Sequence, residues 1–210
     1  MRISRASRSQ QEKSDSELAK ASVAAIILSG GKSERFGSNK GLYSYQGKPL
    51  MIRAIDIVDP ISDRIIISIA PGQRKYYEPL VGKEYSIIED EDAFEGPLSG
   101  LKTVLSVIDE NITLLIPCDM PFLKTEFFTF LIERLEGHDA CIPLINGYLE
   151  PIFSVYRTEP LHKAVSYEIG NGGRKLSGIL RHLKVKSIDI REFESAGIDS
   201  SNFVNLNAPL

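Results

Sequence analysis

Three short, nearly uninterrupted runs of apolar residues constrain the fold of this chain more than any other feature. They cover residues 23–28 (VAAIIL), 65–69 (IIISI) and 112–116 (ITLLI). Short apolar runs that are rich in β-branched residues and bounded by Gly, Pro or Asp are typical of strands buried on both faces. Because such strands need cover on both sides, the runs predict a parallel sheet with helices above and below it.

The stretches between these runs carry the spacing of amphipathic helices. Apolar residues recur at intervals of three and four at Leu98, Leu101, Val104, Leu105 and Ile108, and again at Leu176, Ile179, Leu180 and Leu183. This spacing predicts helices over residues 98–108 and 176–183. Strands that alternate with helices indicate a three-layer α/β/α, Rossmann-like domain with a mostly parallel sheet. Ligands of such sheets bind beyond the carboxyl ends of the strands, here after Leu28, Ile69 and Ile116.

Composition excludes several classes of protein. The chain has 210 residues and a formal net charge of −3, which argues against a protein that coats nucleic acid. No apolar stretch approaches the ~20 residues of a membrane-spanning helix. Cys118 and Cys141 form no Cys-x-x-Cys pair and the three histidines are scattered, so a disulfide scaffold and a zinc site are not expected. The composition predicts a cytoplasmic protein with neither a nucleic-acid nor a membrane partner.

Residues 1–22 differ in character from the rest of the chain. Their net charge is +2, which leaves −5 for the remainder, and Ile3 and Leu18 are their only large aliphatic residues. A segment this polar buries too little to fold. It is either a flexible polar extension or a targeting segment, since residues 2–9 (RISRASRS) are rich in Arg and Ser. The three acids that follow favour the extension, and residues 23–210 then form a single domain.

A segment rich in glycine and cations follows the first predicted strand. Residues 28–41 read LSGGKSERFGSNKG, and glycine lets backbone amides approach phosphate oxygens that Lys and Arg neutralise. A Walker A loop ending in Gly31-Lys32-Ser33 would need glycine in place of Ile26, and a dinucleotide fingerprint from Gly30 would need glycine in place of Lys32. Taken alone, the segment fits either a phosphate site or a glycine-rich turn with solvated cations.

Further motifs make the pattern more specific. Residues 28–40, followed by GKPL at 47–50, resemble the signature of the nucleotidyltransferases that activate sugars and cofactors. Within that superfamily the later motifs resemble the molybdenum cofactor guanylyltransferase (MobA) family. These motifs are IIED at residues 87–90, GPLSG at 96–100, PCDMPF at 117–122, GRK at 173–175 and FVNLN at 203–207. The resemblance covers residues 23–209 and implies transfer of GMP from GTP to the terminal phosphate of molybdopterin, with release of pyrophosphate.

The resemblance also implies which residues form the site. Catalytic roles fall on Lys40, Arg35 and Asp119, and Asp119 is also the implied ligand of Mg²⁺, for which Mn²⁺ can substitute. The implied nucleotide-binding positions are Leu28, Ser29, Gly30, Gly31, Lys40, Ser68, Asp90, Gly96, Pro97, Gly100 and Asp119. The implied acceptor side consists of Asn205, Asn207 and Arg174, the last of these at the start of the predicted helix 176–183.

Several of these positions have a second interpretation. Asp119 would also suit a helix cap or a turn, and Asp90 stands among other acids that would suit a solvated turn. Asn205 and Asn207 would also fit a polar edge strand. Cys118, beside Asp119, has no histidine near it in the sequence to act as its base, which favours packing over nucleophilic catalysis.

Ser68 departs from the family pattern, which often has asparagine at this point. A hydroxyl can donate or accept one hydrogen bond but lacks the paired recognition of an amide, so CTP stays open as the nucleotide. A sugar or polyol phosphate also stays open as the acceptor, as does a module that senses nucleotides without chemistry. The resemblance further implies a molybdenum-insertion protein and molybdoenzyme chaperones as partners.

Overall fold

A computed structural model describes residues 21–29, 39–90 and 97–203 of the chain. The strands within these ranges are β1 (Val23–Ser29), β2 (Ser44–Tyr45), β3 (Lys48–Pro49), β4 (Arg64–Ile69), β5 (Ser86–Glu89), β6 (Ile112–Pro117), β7 (Ala140–Ile145), β8 (Tyr148–Leu149), β9 (Ser154–Arg157) and β10 (Val185–Asp189). The α-helices are α1 (Leu50–Val58), α2 (Arg74–Val81), α3 (Pro97–Leu105), α4 (Thr125–Glu133), α5 (Thr158–Gly170) and α6 (Ile190–Ser195). Short 3₁₀ helices cover Lys40–Leu42, Asp59–Ile61, Leu176–His182 and Ser200–Phe203.

The central sheet has the strand order β10-β7-β9-β6-β1-β4-β5, and β8 pairs with the end of β7. β1 pairs in parallel with both β4 and β6, β4 with β5, and β7 with β10. The pairs that contain β8 or β9 are antiparallel. The predicted mostly parallel sheet is therefore confirmed. Its carboxyl edge, the edge at which β1, β4, β5 and β6 end, is where such a fold places a ligand.

Alternation of side chains along the strands divides the core into two layers. In β1, Ala25 and Ile27 pack on one face with α1, α2, α4 and α6. Ala24 and Ile26 pack on the other face with α3, α5 and the 3₁₀ helix Leu176–His182. All four of these β1 side chains are fully buried. Because successive residues of a strand point to opposite faces, one apolar run serves both layers, and the predicted three-layer architecture is confirmed.

Two predicted helices differ from those in the structure. α3 ends at Leu105, three residues before the predicted end, and Ile108 joins the same core layer from the following loop. The segment predicted as a helix over 176–183 is a 3₁₀ helix that begins at Leu176, so Arg174 precedes it rather than starting it. Side chains three residues apart align in both helix types, and the apolar spacing therefore does not distinguish them.

Contacts to the sheet begin one residue before the predicted domain boundary. The backbone N–H and the hydroxyl of Ser22 both donate to Asn111 Oδ1 at 3.1 Å, and the Ile112 N–H donates to the Ser22 carbonyl at 3.0 Å. Residues 1–20 of the predicted extension lie outside the described residues. In the part of the chain that the structure describes, no helix has both the length and the apolar character needed to cross a membrane.

Candidate functional site

An ion pair lies at the carboxyl edge, beyond the ends of β1 and β6. Lys40 Nζ donates to Asp119 Oδ2 at 2.8 Å, with the two side chains 24% and 15% exposed. Asp119 follows β6 by two residues, and Lys40 begins the 3₁₀ helix Lys40–Leu42. The fold thus joins two predicted catalytic residues that lie 79 positions apart. Arg35, the third, lies outside the described residues.

A largely buried polar cluster beside this ion pair consists of Ser29, Gly41, Tyr77 and Cys118. Ser29 Oγ and the Tyr77 hydroxyl are 2.6 Å apart, and Cys118 Sγ donates to Ser29 Oγ at 3.3 Å. Burial raises the pKa of the Cys118 thiol to about 11, so the nucleophilic thiolate is scarce at neutral pH. Cys118 therefore packs beneath the site, as its lack of a nearby histidine predicts.

Gly41 lies closer to Ser29 and Tyr77 than a residue with a side chain could. A Cβ added to Gly41 would lie 2.8 Å from both Ser29 Oγ and the Tyr77 hydroxyl oxygen, well inside ordinary packing distance. The backbone of Gly41 therefore lies directly against the Tyr77 hydroxyl. The sequence motifs did not identify Tyr77 or Gly41, and the one signal was a glycine directly after Lys40.

A second group of predicted residues meets on the other side of β1. A Cβ added to Gly100 would lie 3.1 Å from Asp90 Oδ2 and 3.2 Å from Ser68 Oγ, so the backbone of α3 comes close to both side chains. Asp90 is held at the end of β5 by its N–H, which donates to the Ile69 carbonyl at 2.9 Å. The structure therefore brings together Ser68, Asp90 and Gly100, three of the predicted nucleotide-binding residues.

The remaining predicted residues have different outcomes. Leu28 and Ser29 lie at the end of β1, where the Leu28 carbonyl accepts the Cys118 N–H at 3.2 Å, and Pro97 begins α3. Arg174 is exposed in the loop after α5, which returns towards the carboxyl edge because β9 runs antiparallel to β6. The predicted residues outside the described ranges are Gly30, Gly31, Arg35, Gly96, Asn205 and Asn207.

A buried carboxylate organises the loop that carries Arg174. The Glu168 side chain is 5% exposed and accepts hydrogen bonds from Arg181 Nη2 at 2.6 and 2.7 Å, with His182 Nε2 3.2 Å away. A Cβ on Gly173 or Gly178 would overlap this carboxylate, so the loop packs directly on it. The hydrogen bond from Arg181 holds the pKa of Glu168 below its usual value.

We expect Glu168→Gln to lower the melting temperature by a few degrees at neutral pH, because the charge-assisted bonds to Arg181 are lost. A carboxyl group whose pKa falls on folding stabilises the protein fully above its unfolded pKa of 4.5, and this stabilisation is lost as the pH falls through the lower folded value. The difference in melting temperature between the two proteins should therefore shrink below pH 4.5. Thermal melts monitored by circular dichroism from neutral pH to below pH 4 measure it.

Glu159→Gln is the matched control, since Glu159 pairs with Lys163 on the same helix with both side chains more than 70% exposed. An exposed pair contributes little to stability. Equal losses of melting temperature in the two variants would contradict a structural role for the Glu168 carboxylate.

The donor set around Asp119 fits a magnesium ion. Within the described residues, no group of three or more His, Cys, Asp and Glu side chains could hold a metal. Mg²⁺ is instead commonly bound by one or two carboxylates together with substrate phosphates and water. A single carboxylate, 15% exposed at the carboxyl edge, is a ligand of that kind.

Comparison with known proteins identifies the family. The sequence profile of the MobA-like NTP transferase domain matches residues 25–186, which is more than half of the chain. A protein of Haloferax mediterranei described as "Probable molybdenum cofactor guanylyltransferase" is 30% identical over 185 residues. That match covers 87% of this chain and 88% of the relative.

Solved structures share the fold. Molybdopterin-guanine dinucleotide biosynthesis protein A from Archaeoglobus fulgidus superposes with a TM-score of 0.72 at 23% identity, covering 89% of this chain and 93% of that one. The 4-diphosphocytidyl-2C-methyl-D-erythritol synthase of Anaerococcus prevotii gives a TM-score of 0.68 at 13% identity, covering 92% and 93%. These likenesses support the fold, and the profile match supports the family. The chain is a nucleotidyltransferase that belongs to the MobA-like NTP transferase domain family.

Proposed function

We propose that the chain transfers GMP from GTP to the terminal phosphate of molybdopterin, with or without bound molybdenum, to give molybdopterin guanine dinucleotide and pyrophosphate. The observation that carries the proposal is the Lys40–Asp119 ion pair at the carboxyl edge, in which Lys40 belongs to the sequence motif with the family signature. The name of the Haloferax mediterranei relative supports the same nucleotide and acceptor.

The reaction needs positioning more than it needs a base. The pterin phosphate is already an anion, so one of its oxygens can attack the α-phosphorus of GTP directly. A new phosphorus–oxygen bond forms while the bond to the bridging oxygen breaks, and pyrophosphate leaves with that electron pair. The protein's task is to align two polyanions and to stabilise the charge that develops between them. The chemistry therefore needs neither a catalytic triad nor a nucleophilic Cys118.

In this proposal, Lys40 and Arg35 bind the triphosphate and stabilise the transferring phosphorus. Asp119 would hold Mg²⁺, or Mn²⁺ in its place, and the bound ion would neutralise phosphate oxygens. Lys40 now contacts the Asp119 carboxylate at 2.8 Å. The same short distance means that Lys40 would lie close enough to contact phosphates bound beside Asp119.

The remaining residues are assigned to the two substrates. The residues proposed for the phosphates are Leu28, Ser29, Gly30 and Gly31, and those proposed for the nucleoside are Ser68, Asp90, Gly96, Pro97 and Gly100. Arg174, Asn205 and Asn207 are proposed for the acceptor side. We further propose that residues 23–210 form the catalytic domain, that residues 1–22 extend from it, and that the protein acts in the cytoplasm. A molybdenum-insertion protein and molybdoenzyme chaperones are the proposed partners.

Gly100→Ala should raise the KM for GTP about tenfold while kcat changes little, since a contact made equally in the ground and transition states affects binding alone. The added methyl would stand 3.1 Å from Asp90 Oδ2 and 3.2 Å from Ser68 Oγ, and would displace both side chains from the nucleoside. Steady-state kinetics with varied GTP measure the effect. Gly170→Ala is the matched control, because its Cβ meets nothing within 4 Å and it also replaces a helical glycine. A KM that stays at the wild-type value in Gly100→Ala would remove these residues from the nucleoside site.

A panel of nucleotides and acceptors, followed by pyrophosphate release, tests the function. We expect release with GTP and molybdopterin together and none when either is omitted. Turnover with CTP and molybdopterin, but not with GTP and molybdopterin, would exclude guanylyl transfer. It would favour cytidylyl transfer, the second candidate, which Ser68 leaves open. Turnover only with a sugar or polyol phosphate would show that this compound, and not molybdopterin, is the acceptor. Nucleotide binding without turnover in any combination would favour a nucleotide-sensing module.

A further inference from the structure

The turn that carries Lys40 is contacted on both sides by residues of one segment, which consists of Gln73 and the first turn of α2. Gln73, immediately before α2, donates from Nε2 to Asn39 Oδ1 at 2.8 Å. Tyr77, on the buried face of α2, packs its hydroxyl and ring edge against Gly41, where an added Cβ would lie 2.8 Å from the hydroxyl oxygen. Asn39 and Gly41 are the two neighbours of Lys40 in the chain. One segment, residues 73–77, therefore contacts the residues before and after Lys40, through the Asn39 side chain and the Gly41 backbone, while the Lys40 side chain reaches Asp119.

Tyr77 is itself rigidly held. Its ring is fully buried, and its hydroxyl lies 2.6 Å from Ser29 Oγ at the end of β1. Ser29 Oγ in turn accepts from Cys118, the residue before Asp119. Burial raises the pKa of Tyr77 to about 12, so the hydroxyl keeps its proton at neutral pH. The Tyr77 hydroxyl thus connects the Lys40 turn to both strands that end at the site.

We propose that Tyr77 is a positioning residue for Lys40, and that its hydroxyl, packed against the backbone of Gly41, places the Lys40 ammonium for transfer of the nucleotidyl group. The proposal rests on the proposed function, in which Lys40 acts on the triphosphate. Without the hydroxyl, the turn gains freedom that each turnover must remove. A misplaced cation weakens the stabilisation of the charge that develops in the transition state more than it weakens binding of the nucleotide. The loss should therefore fall on kcat rather than on KM.

Tyr77→Phe tests this directly, because it removes the hydroxyl and keeps the ring. We expect kcat with GTP and molybdopterin to fall by roughly 10- to 100-fold while the KM for GTP changes by less than about threefold. In a Lys40→Met background the same substitution should add little, since a positioning residue has nothing left to position. Losses that multiply in the double variant would overturn the proposal.

Hydrogen exchange gives a second measurement that does not depend on turnover. The Gly41 amide should exchange at least about tenfold faster in Tyr77→Phe than in the wild type, because the buried turn opens more often without the hydroxyl that packs on it. Gln73→Leu removes the hydrogen bond from the half-buried Gln73 side chain to Asn39 Oδ1, and should also lower kcat. This second variant tests the same turn if Tyr77→Phe folds poorly.

Thr113→Val is the matched control. It removes a buried hydroxyl, 2.9 Å from Thr158 Oγ1, at the amino end of β6 and away from the site. It should lower stability without changing kcat or Gly41 exchange. If Tyr77→Phe behaves like this control, with a lower melting temperature but unchanged kcat and exchange, Tyr77 is structural only. If the wild type shows no turnover but Gly41 exchange responds as expected, the proposed function fails while the anchoring of the turn stands.

Discussion

Asp119→Ala should lower kcat for guanylyl transfer by about 10³-fold or more. The metal ion that would neutralise the two polyanions then loses its protein ligand. The wild-type rate should rise with Mg²⁺ to a plateau, whereas the variant should respond weakly at every concentration. The variant also removes the 2.8 Å ion pair between Lys40 and Asp119, so circular dichroism should first confirm that it is folded. Initial rates of pyrophosphate release over a Mg²⁺ titration measure the effect.

Asp139→Asn is the matched control for this substitution. Asp139 accepts the Lys184 N–H at 2.8 Å just before β7, at the amino ends of the parallel strands and therefore opposite the site. It should keep the wild-type rate and the wild-type response to Mg²⁺. If Asp119→Ala keeps them as well, the assignment of Asp119 as metal ligand is wrong.

Lys40→Met should lower kcat/KM for GTP by roughly 10²- to 10³-fold, since it removes a cation aimed at the developing charge and keeps the length of the side chain. Both constants should change, because Lys40 is proposed to contact the triphosphate before and during transfer. Steady-state kinetics and nucleotide titration separate the two contributions. Raising the ionic strength should slow the wild type more than the variant.

The control for Lys40→Met is Lys163→Met. Lys163 is 75% exposed and pairs with Glu159 on the surface of α5, so its loss should leave the kinetics unchanged. Equal rates for Lys40→Met and the wild type would show that the ion pair at the carboxyl edge is a structural feature rather than part of the active site.

The apolar runs were enough to predict the architecture. The run at residues 23–28 is β1 without its last residue, and its alternation fills both core layers. Because parallel strands must be covered on both faces, these short runs predicted the layers, the sheet type and the edge that a ligand would use. Helix type was predicted less well: the spacing of Leu176, Ile179 and Leu183 fits a 3₁₀ helix as readily as an α-helix.

For the site, the sequence predicted positions better than contacts. Lys40 and Asp119 were identified by motifs at the ends of separate strands, but their contact depends on how the chain between them folds. Gly100 was expected to approach the nucleotide, and the structure places it against Ser68 and Asp90.

Residues that act through buried contacts gave much weaker signals. Tyr77 reads as an ordinary core residue on the apolar face of α2, because the position of its hydroxyl depends on Ser29 and Gly41 from distant parts of the chain. Glu168 was not identified either, although it lies seven residues after Leu161 on the buried stripe of α5, where an acid needs a partner. Its partner Arg181 lies 13 residues further on, in a segment whose fold the spacing did not resolve.

Following the α-phosphate of GTP tests the central claim most directly. The wild-type protein is incubated with Mg²⁺, molybdopterin and GTP labelled at the α-phosphorus, and the products are separated and identified by mass. Attack of the pterin phosphate on that phosphorus predicts that the label appears in molybdopterin guanine dinucleotide and that the released pyrophosphate is unlabelled. Label that stays in GTP, or that appears in GDP or free GMP while molybdopterin is unchanged, would contradict guanylyl transfer by this chain.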